Sequence, residues 1–138
     1  MRVAIIGRTE LLYDTSLVLH EMGHEIVCIL TSKEAPEYTR TAADFRELAD
    51  AWQIPFAQGA HIKEHAEFLR SAQADIGVSI NYNGLVPQAV IDLFPLGVLN
   101  VHGGDLPRYR GNACQAWAIL NGEERIGLCV HKNDWWGA

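Results

Sequence analysis

The chain has 138 residues, of which 49% are hydrophobic and 20% charged, and a formal net charge of −6. That length carries one domain, which removes roughly two-thirds of its unfolded surface from water, and the charged fraction is too low for a disordered tail. A net negative chain without clustered Lys and Arg argues against broad nucleic-acid contact, with the two arginines of "PRYRG" leaving room for a local anion site, and no apolar run approaches the ~18 residues of a membrane helix, so no membrane span is expected.

In chain order, "RVAIIG" is a β-branched run ending in glycine rather than a signal peptide, and "ELLYDTSLVLHEMG" places Leu11, Leu12, Leu17, Val18 and Met22 at helical spacing. Gly23 is expected to cap that helix in the left-handed conformation, and "HEIVCIL" follows as a buried strand. "TAADFRELADAW" restores the helical period, "IPFAQ" is a weak third strand, and "IKEHAEFLRSA" is a third helix. "ADIGVSI" is a continuous apolar strand, and "PQAVIDLF" opens a short helix with proline in its first turn. "LGVLNVH" is the fifth strand, "NACQAWAIL" a helix stopped by Asn121-Gly122, and "RIGLCVHK" a final alternating strand. Repeated βα units with near-continuous apolar strands predict an α/β fold, a Rossmann-like, mostly parallel sheet with helices on both faces. Trp117 is expected in the core and Trp52 under the third strand.

The cysteines Cys28, Cys114 and Cys129 are odd in number, widely spaced and set among apolar neighbours, which points to a reducing cytoplasm rather than a disulfide framework. The histidines His20, His24, His61, His65 and His131 show no metal-ligand spacing, so no metal is expected, and strand-end or surface roles are assigned to them. "GRTE" lacks the full glycine fingerprint of a dinucleotide site and reads as a βα turn whose helix N-terminus can receive an anion.

Ligands of such sheets sit beyond the carboxyl ends of the strands. At one of them, "LNVHGGDLPRYRGNA", Asn100 and His102 are two residues apart, so their side chains share a face. An amide that donates to a developing oxyanion, beside an imidazole that moves a proton, suits acyl transfer without a metal.

This stretch resembles the folate-dependent formyltransferases, the group that includes methionyl-tRNA formyltransferase, glycinamide ribonucleotide transformylase and the amino-sugar formyltransferases. Asn100, His102, Leu106, Pro107, Tyr109, Arg110 and Gly111 fit their Asn-x-His, short loop, Leu-Pro-x-Tyr-(Arg)-Gly pattern. "VSINYNGLVPQAVIDLFPLGVLNVH" and "WAILNGEERIG" extend the likeness over about half the chain, while Gly104 and Asp105 depart from it. The resemblance implies that Asn100 polarises the formyl carbonyl and that His102 assists proton movement from the attacking amine. It further implies that Tyr82, Asn83, Gly84 and Leu85 line the pterin pocket for 10-formyltetrahydrofolate. Gly7, Arg8, Thr9, Arg108, Tyr109 and Arg110 are candidate acceptor contacts, with Arg108 and Arg110 read equally as solvated or paired loop charges.

Residues 1–138 are expected to form the N-terminal catalytic domain of such an enzyme. The family continues into a loop with a third catalytic residue, an aspartate, where this chain has "NDWWGA". One adenine inserted after the Lys132 codon would convert an ancestral Met-Ile-Gly-Gly-Glu-Leu-Asp text into that tail and a stop; a deliberately truncated domain competes with this explanation. Either route predicts impaired formyl transfer, and exposed sheet ends favour a homodimer. The early segment "TSKEAPEYTRTAADFRELAD" is not basic, which favours a small-molecule amine, such as a nucleotide-linked amino sugar, over methionyl-tRNA. Rival readings are a non-catalytic Rossmann-like module for nucleotides or small ligands and a formyltetrahydrofolate hydrolase.

Overall fold

The structure is a computed structural model that describes residues 1–102, 114–125 and 127–132. Strand β1 (Arg2–Gly7) leads into helix α1 (Thr9–Glu21), β2 (Glu25–Thr31), α2 (Ala42–Trp52) and β3 (Phe56–Gln58). After a 3-10 turn (Ile62–His65) come α3 (Ala66–Ala72), β4 (Ile76–Ile80), α4 (Gln88–Ile91), β5 (Val98–His102), α5 (Cys114–Leu120) and β6 (Cys129–Lys132). The sheet order is β3-β2-β1-β4-β5-β6. The first five strands pair in parallel and β6 runs antiparallel to β5.

Each buried strand sends alternate side chains to two cores. Val3, Ile5, Ile26, Ile29, Ile76 and Ile80 meet Leu12 of α1 and Phe45, Leu48 and Ala49 of α2 on one face. Ala4, Ile6, Cys28, Leu30 and Val98 meet Leu69 of α3 and Val90 and Ile91 of α4 on the other. Burying each of the larger aliphatic side chains contributes roughly 1.5–3 kcal/mol. This two-sided burial is why the strands read as continuous apolar runs.

Helix α1 departs from its expected face. Leu11, Val18 and Met22 are exposed, and the buried stripe runs through Leu12 and Ser16, whose hydroxyl donates to the Leu12 carbonyl at 2.8 Å. A small residue there keeps the helix close to the sheet, and its polar group is satisfied within its own turn. Gly23, at φ +91°, stops the helix as expected. Helix α2 opens with a capping box in which the Thr41 hydroxyl accepts from the Asp44 amide and the Asp44 carboxylate accepts from the Thr41 amide. The segment read as one helix over 62–72 begins instead with the 3-10 turn. Trp52 stacks on His20 with ring centroids 4.4 Å apart and joins the α1/α2 core. Trp117 corrects its expectation: it is 59% exposed, whereas its neighbour Ala118 is buried.

Candidate functional site

The chain builds β2 and β3 on one side of β1, then crosses to place β4 and β5 on the other. The crevice at the carboxyl ends of β1 and β4 is therefore the topological switch point. Backbone and side chains knit these ends together. The Arg8 amide donates to the Ile80 carbonyl at 2.9 Å, and the Thr31 hydroxyl donates to the Gly7 carbonyl at 2.7 Å. Arg8 Nε donates to the Asn81 carbonyl at 2.8 Å, and its guanidinium lies 5.1 Å over the Tyr38 ring. Thr9 begins α1 at φ +87°, a conformation costly for a β-branched residue. Its hydroxyl oxygen is buried with no hydrogen-bond partner among the described residues.

One strand further out, Asn100 and His102 lie on the α3/α4 face with Val98, as their spacing predicts. Asn100 is half-buried and His102 is only 7% exposed. Ser79 of β4, also buried, is the register partner of Asn100. The antiparallel register of β6 sets His131 opposite Asn100 and Cys129 opposite His102. Residues directly opposite across a pair project to the same side, so two histidines, an amide and a thiol converge on one surface. Asn100 Nδ2 is 3.4 Å from His131 Nε2, and the His102 and His131 rings meet edge to face at 6.2 Å between centroids.

Because Ile80 pairs with Val101, the segment after β4 emerges beside His102. It is shaped by Asn81 at φ +53° and Gly84 at φ +75°, both in the left-handed region. A cavity of about 420 Å³ opens here, walled by Asn83, Gly84, Leu85, Val86 and Pro87 on one side and Ala60, His61, Ile62 and Lys63 on the other. Three of the residues expected to line a ligand pocket, Asn83, Gly84 and Leu85, are in its wall. The fourth, Tyr82, braces it from behind, its hydroxyl donating to the Gly59 carbonyl. Burial, and next the nearby Glu64 charge, push that phenol up to about 12, so it stays a protonated donor through neutral pH. Asn83 Oδ1 accepts from the Ser32 hydroxyl at 3.2 Å, tying the cavity wall to the end of β2.

A hydrogen-bond donor and a buried imidazole thus stand at the end of β5, next to the strand whose following segment walls a concave cavity, and these are the kinds of group that acyl transfer uses. His131 and Cys129 were not assigned to the site from sequence. The signal that could have found them is the alternation of residues 129 and 131, which mirrors that of 100 and 102, once β6 is known to pair with β5. Arg108, Tyr109, Arg110, the Gly104-Asp105 departure and the tail from residue 133 onward lie outside the described residues. Among the described residues no group of three His, Cys, Asp or Glu is placed to hold a metal ion, and no helix is long and apolar enough to cross a membrane.

Comparison with known proteins adds a family model described as "Formyl transferase", which matches residues 1–134. The methionyl-tRNA formyltransferase of Solibacter usitatus is 34% identical over 97% of this chain and 45% of its own. The enzyme of the same name from Agathobacter rectalis is 31% identical with the same coverage. The chain thus spans less than half the length of these curated relatives. Among solved structures, phosphoribosylglycinamide formyltransferase from Bacillus halodurans superposes with a TM-score of 0.72 at 20% identity, over 97% of this chain and 72% of that one. A sugar N-formyltransferase from a Shewanella species gives 0.66 at 15% identity, over 98% of this chain and 52% of that one. At such identities the structural likeness speaks to the fold, which it shares.

Proposed function

The chain belongs to the formyl transferase family, and on that premise we propose that its site moves a formyl group from 10-formyltetrahydrofolate to a primary amine. The observation that carries the reading is the placement of Asn100 and His102 on one face at the end of β5, beside the segment that walls the cavity. In the transfer, the amine nitrogen bonds to the formyl carbon and the bond from that carbon to the folate nitrogen breaks. One proton leaves the amine, and the folate nitrogen receives one. Asn100 donates an N–H to the formyl oxygen as negative charge gathers there. His102, held in a buried position that excludes bulk water, takes the proton from the amine.

The donor's ring system fits the cavity between residues 60–63 and 83–87, whose apolar walls take a flat heterocycle and whose backbone groups supply polar edges. Gly7, Arg8 and Thr9 are proposed to meet the acceptor. The Thr9 hydroxyl at the start of α1, buried with no hydrogen-bond partner among the described residues, supports a polar contact there. The two curated relatives are methionyl-tRNA formyltransferases and give no support to an amino-sugar acceptor in preference to methionyl-tRNA, so the acceptor is a primary amine of either kind. The unpaired thiols of Cys28 and Cys129 are in keeping with a cytoplasmic setting.

Titration with a non-transferring formyl-folate analogue tests the donor seat. Saturable binding is expected, weakened roughly tenfold by Leu85→Asp, which sets a charge against the apolar wall without touching the core, since Leu85 is 75% exposed. Formyl transfer is then assayed in parallel with methionyl-tRNA and with an amino-sugar nucleotide. Absence of saturable analogue binding overturns the reading, and formate release that needs no amine turns it into hydrolysis.

A further inference from the structure

We infer that His131 is a positioning residue that fixes which way the Asn100 carboxamide points, and so keeps its N–H group available to the formyl oxygen. The inference rests on the formyl-transfer reading for its purpose, but its geometry stands by itself. His131 Nδ1 is 3.1 Å from the carbonyl oxygen of Lys132. A carbonyl only accepts, so Nδ1 carries the hydrogen. In the neutral ring Nε2 is then bare and accepts, and it is Nε2 that faces Asn100 Nδ2 at 3.4 Å.

The Lys132 carbonyl selects the tautomer of His131, the tautomer makes Nε2 an acceptor, and an acceptor there favours the amide nitrogen over the amide oxygen. A carboxamide has two N–H bonds at one end and only lone pairs at the other. With one N–H engaged by His131, the second is held on the same nitrogen, directed away from β6. Turned over, the amide would present oxygen to the developing oxyanion and repel it. Strand pairing makes the contact rigid, because Asn100 and His131 are register partners in the β5–β6 ladder. The edge-to-face packing of His131 on His102 further limits its rotation.

The test uses the 138-residue chain, labelled with ¹⁵N and studied without substrate. Long-range proton–nitrogen correlation should show His131 protonated at Nδ1 and bare at Nε2, with a through-hydrogen-bond coupling between Asn100 Nδ2 and His131 Nε2. The coupling should vanish in His131→Phe, and in His131→Gln, whose amide oxygen can stand where Nε2 stood, the Asn100 amide protons should keep their hydrogen-bonded shifts. A His131 protonated at Nε2, or Asn100 amide signals that are the same in wild type and His131→Phe, overturns the inference. Formyl transfer gives the second readout: His131→Phe should lower kcat roughly tenfold with KM for the formyl donor unchanged, and His131→Gln should recover most of it. Equal loss in the two variants, with folding verified by their amide spectra, also overturns it. Failure of the wild-type chain to bind any formyl-folate analogue would instead strike the formyl-transfer reading, leaving the tautomer result to judge the geometry.

Discussion

A Cβ built on Gly7 would stand 1.9 Å from the carbonyl oxygen of Ile80, across the switch point of the sheet. The β1 and β4 ends approach this closely because Gly7 sits at φ +135°, where an L side chain is strained, and because the Arg8 amide donates to that same Ile80 carbonyl. Gly7→Ala is therefore expected to cost about 2–4 kcal/mol, combining backbone strain with a forced shift of β4. Urea denaturation of the purified variant measures this. A loss under about 0.5 kcal/mol would show that the two strand ends part without penalty.

Asn100 and His102 bear the proposed chemistry, and replacing them should damage turnover more than folding. Asn100 is half-buried at a strand end, so Asn100→Ala leaves a small gap rather than a core cavity. Loss of a single oxyanion donor lowers kcat by about 10²–10³. Asn100→Asp keeps the shape but sets a negative charge beside the forming oxyanion, and should be at least as damaging. Steady-state formyl transfer, with circular dichroism to verify folding, checks both. Wild-type rates in Asn100→Asp would remove this residue from the mechanism.

The pairing of Asn100 with His102 was legible in the sequence because strand alternation is a local property: positions two apart share a face whatever the strand's neighbours. The two-sided core was legible for the same reason, as continuous apolar runs such as "VAII" and "IVCIL" mark strands covered on both faces. His131 was not, since its place opposite Asn100 depends on an antiparallel return whose register no local pattern sets. Helix α1 misled because the small, polar Ser16 occupies the buried stripe while Val18 and Met22 face outward, a choice made by close packing against the sheet. Trp117 misled because helical periodicity tells which side chains align, not whether a second layer covers them.

The two cysteines described in detail should differ sharply in reactivity. Cys28 lies on β2 with no exposed surface, and desolvation pushes its thiol up to about 12. Cys129 is partly exposed on β6. A neutral alkylating reagent at pH 8 should modify Cys129 within minutes and spare Cys28 until denaturant is added, as read by peptide mass mapping. The folded Cys28 thiol holds its proton more tightly than the unfolded one, so its contribution to stability is intact below about pH 9 and falls as pH rises towards 12. Labelling of Cys28 in the native protein at the rate of Cys129 would mean that β2 opens readily.

Glu34 gives the opposite pH dependence. Its carboxylate accepts from the Ala42 amide at 2.9 Å, in the first turn of α2, where the unpaired N–H groups and the positive end of the helix dipole favour a negative charge. That hydrogen bond, with a second from its own backbone, holds the carboxyl below its ordinary 4.5. Because the folded value is the lower one, the folded state binds this proton less tightly than the unfolded chain. The stabilisation is fully present above pH 4.5 and is lost as pH falls through the folded value. Glu34→Gln should therefore lower the urea midpoint at pH 7 and flatten the acid side of the stability profile, so that mutant and wild type converge at low pH. The capping box of Thr41 and Asp44 would still hold the helix start, which keeps the effect modest and local to α2. A mutant curve parallel to wild type down to the acid limit would show that the charge on Glu34, as opposed to its shape, contributes nothing.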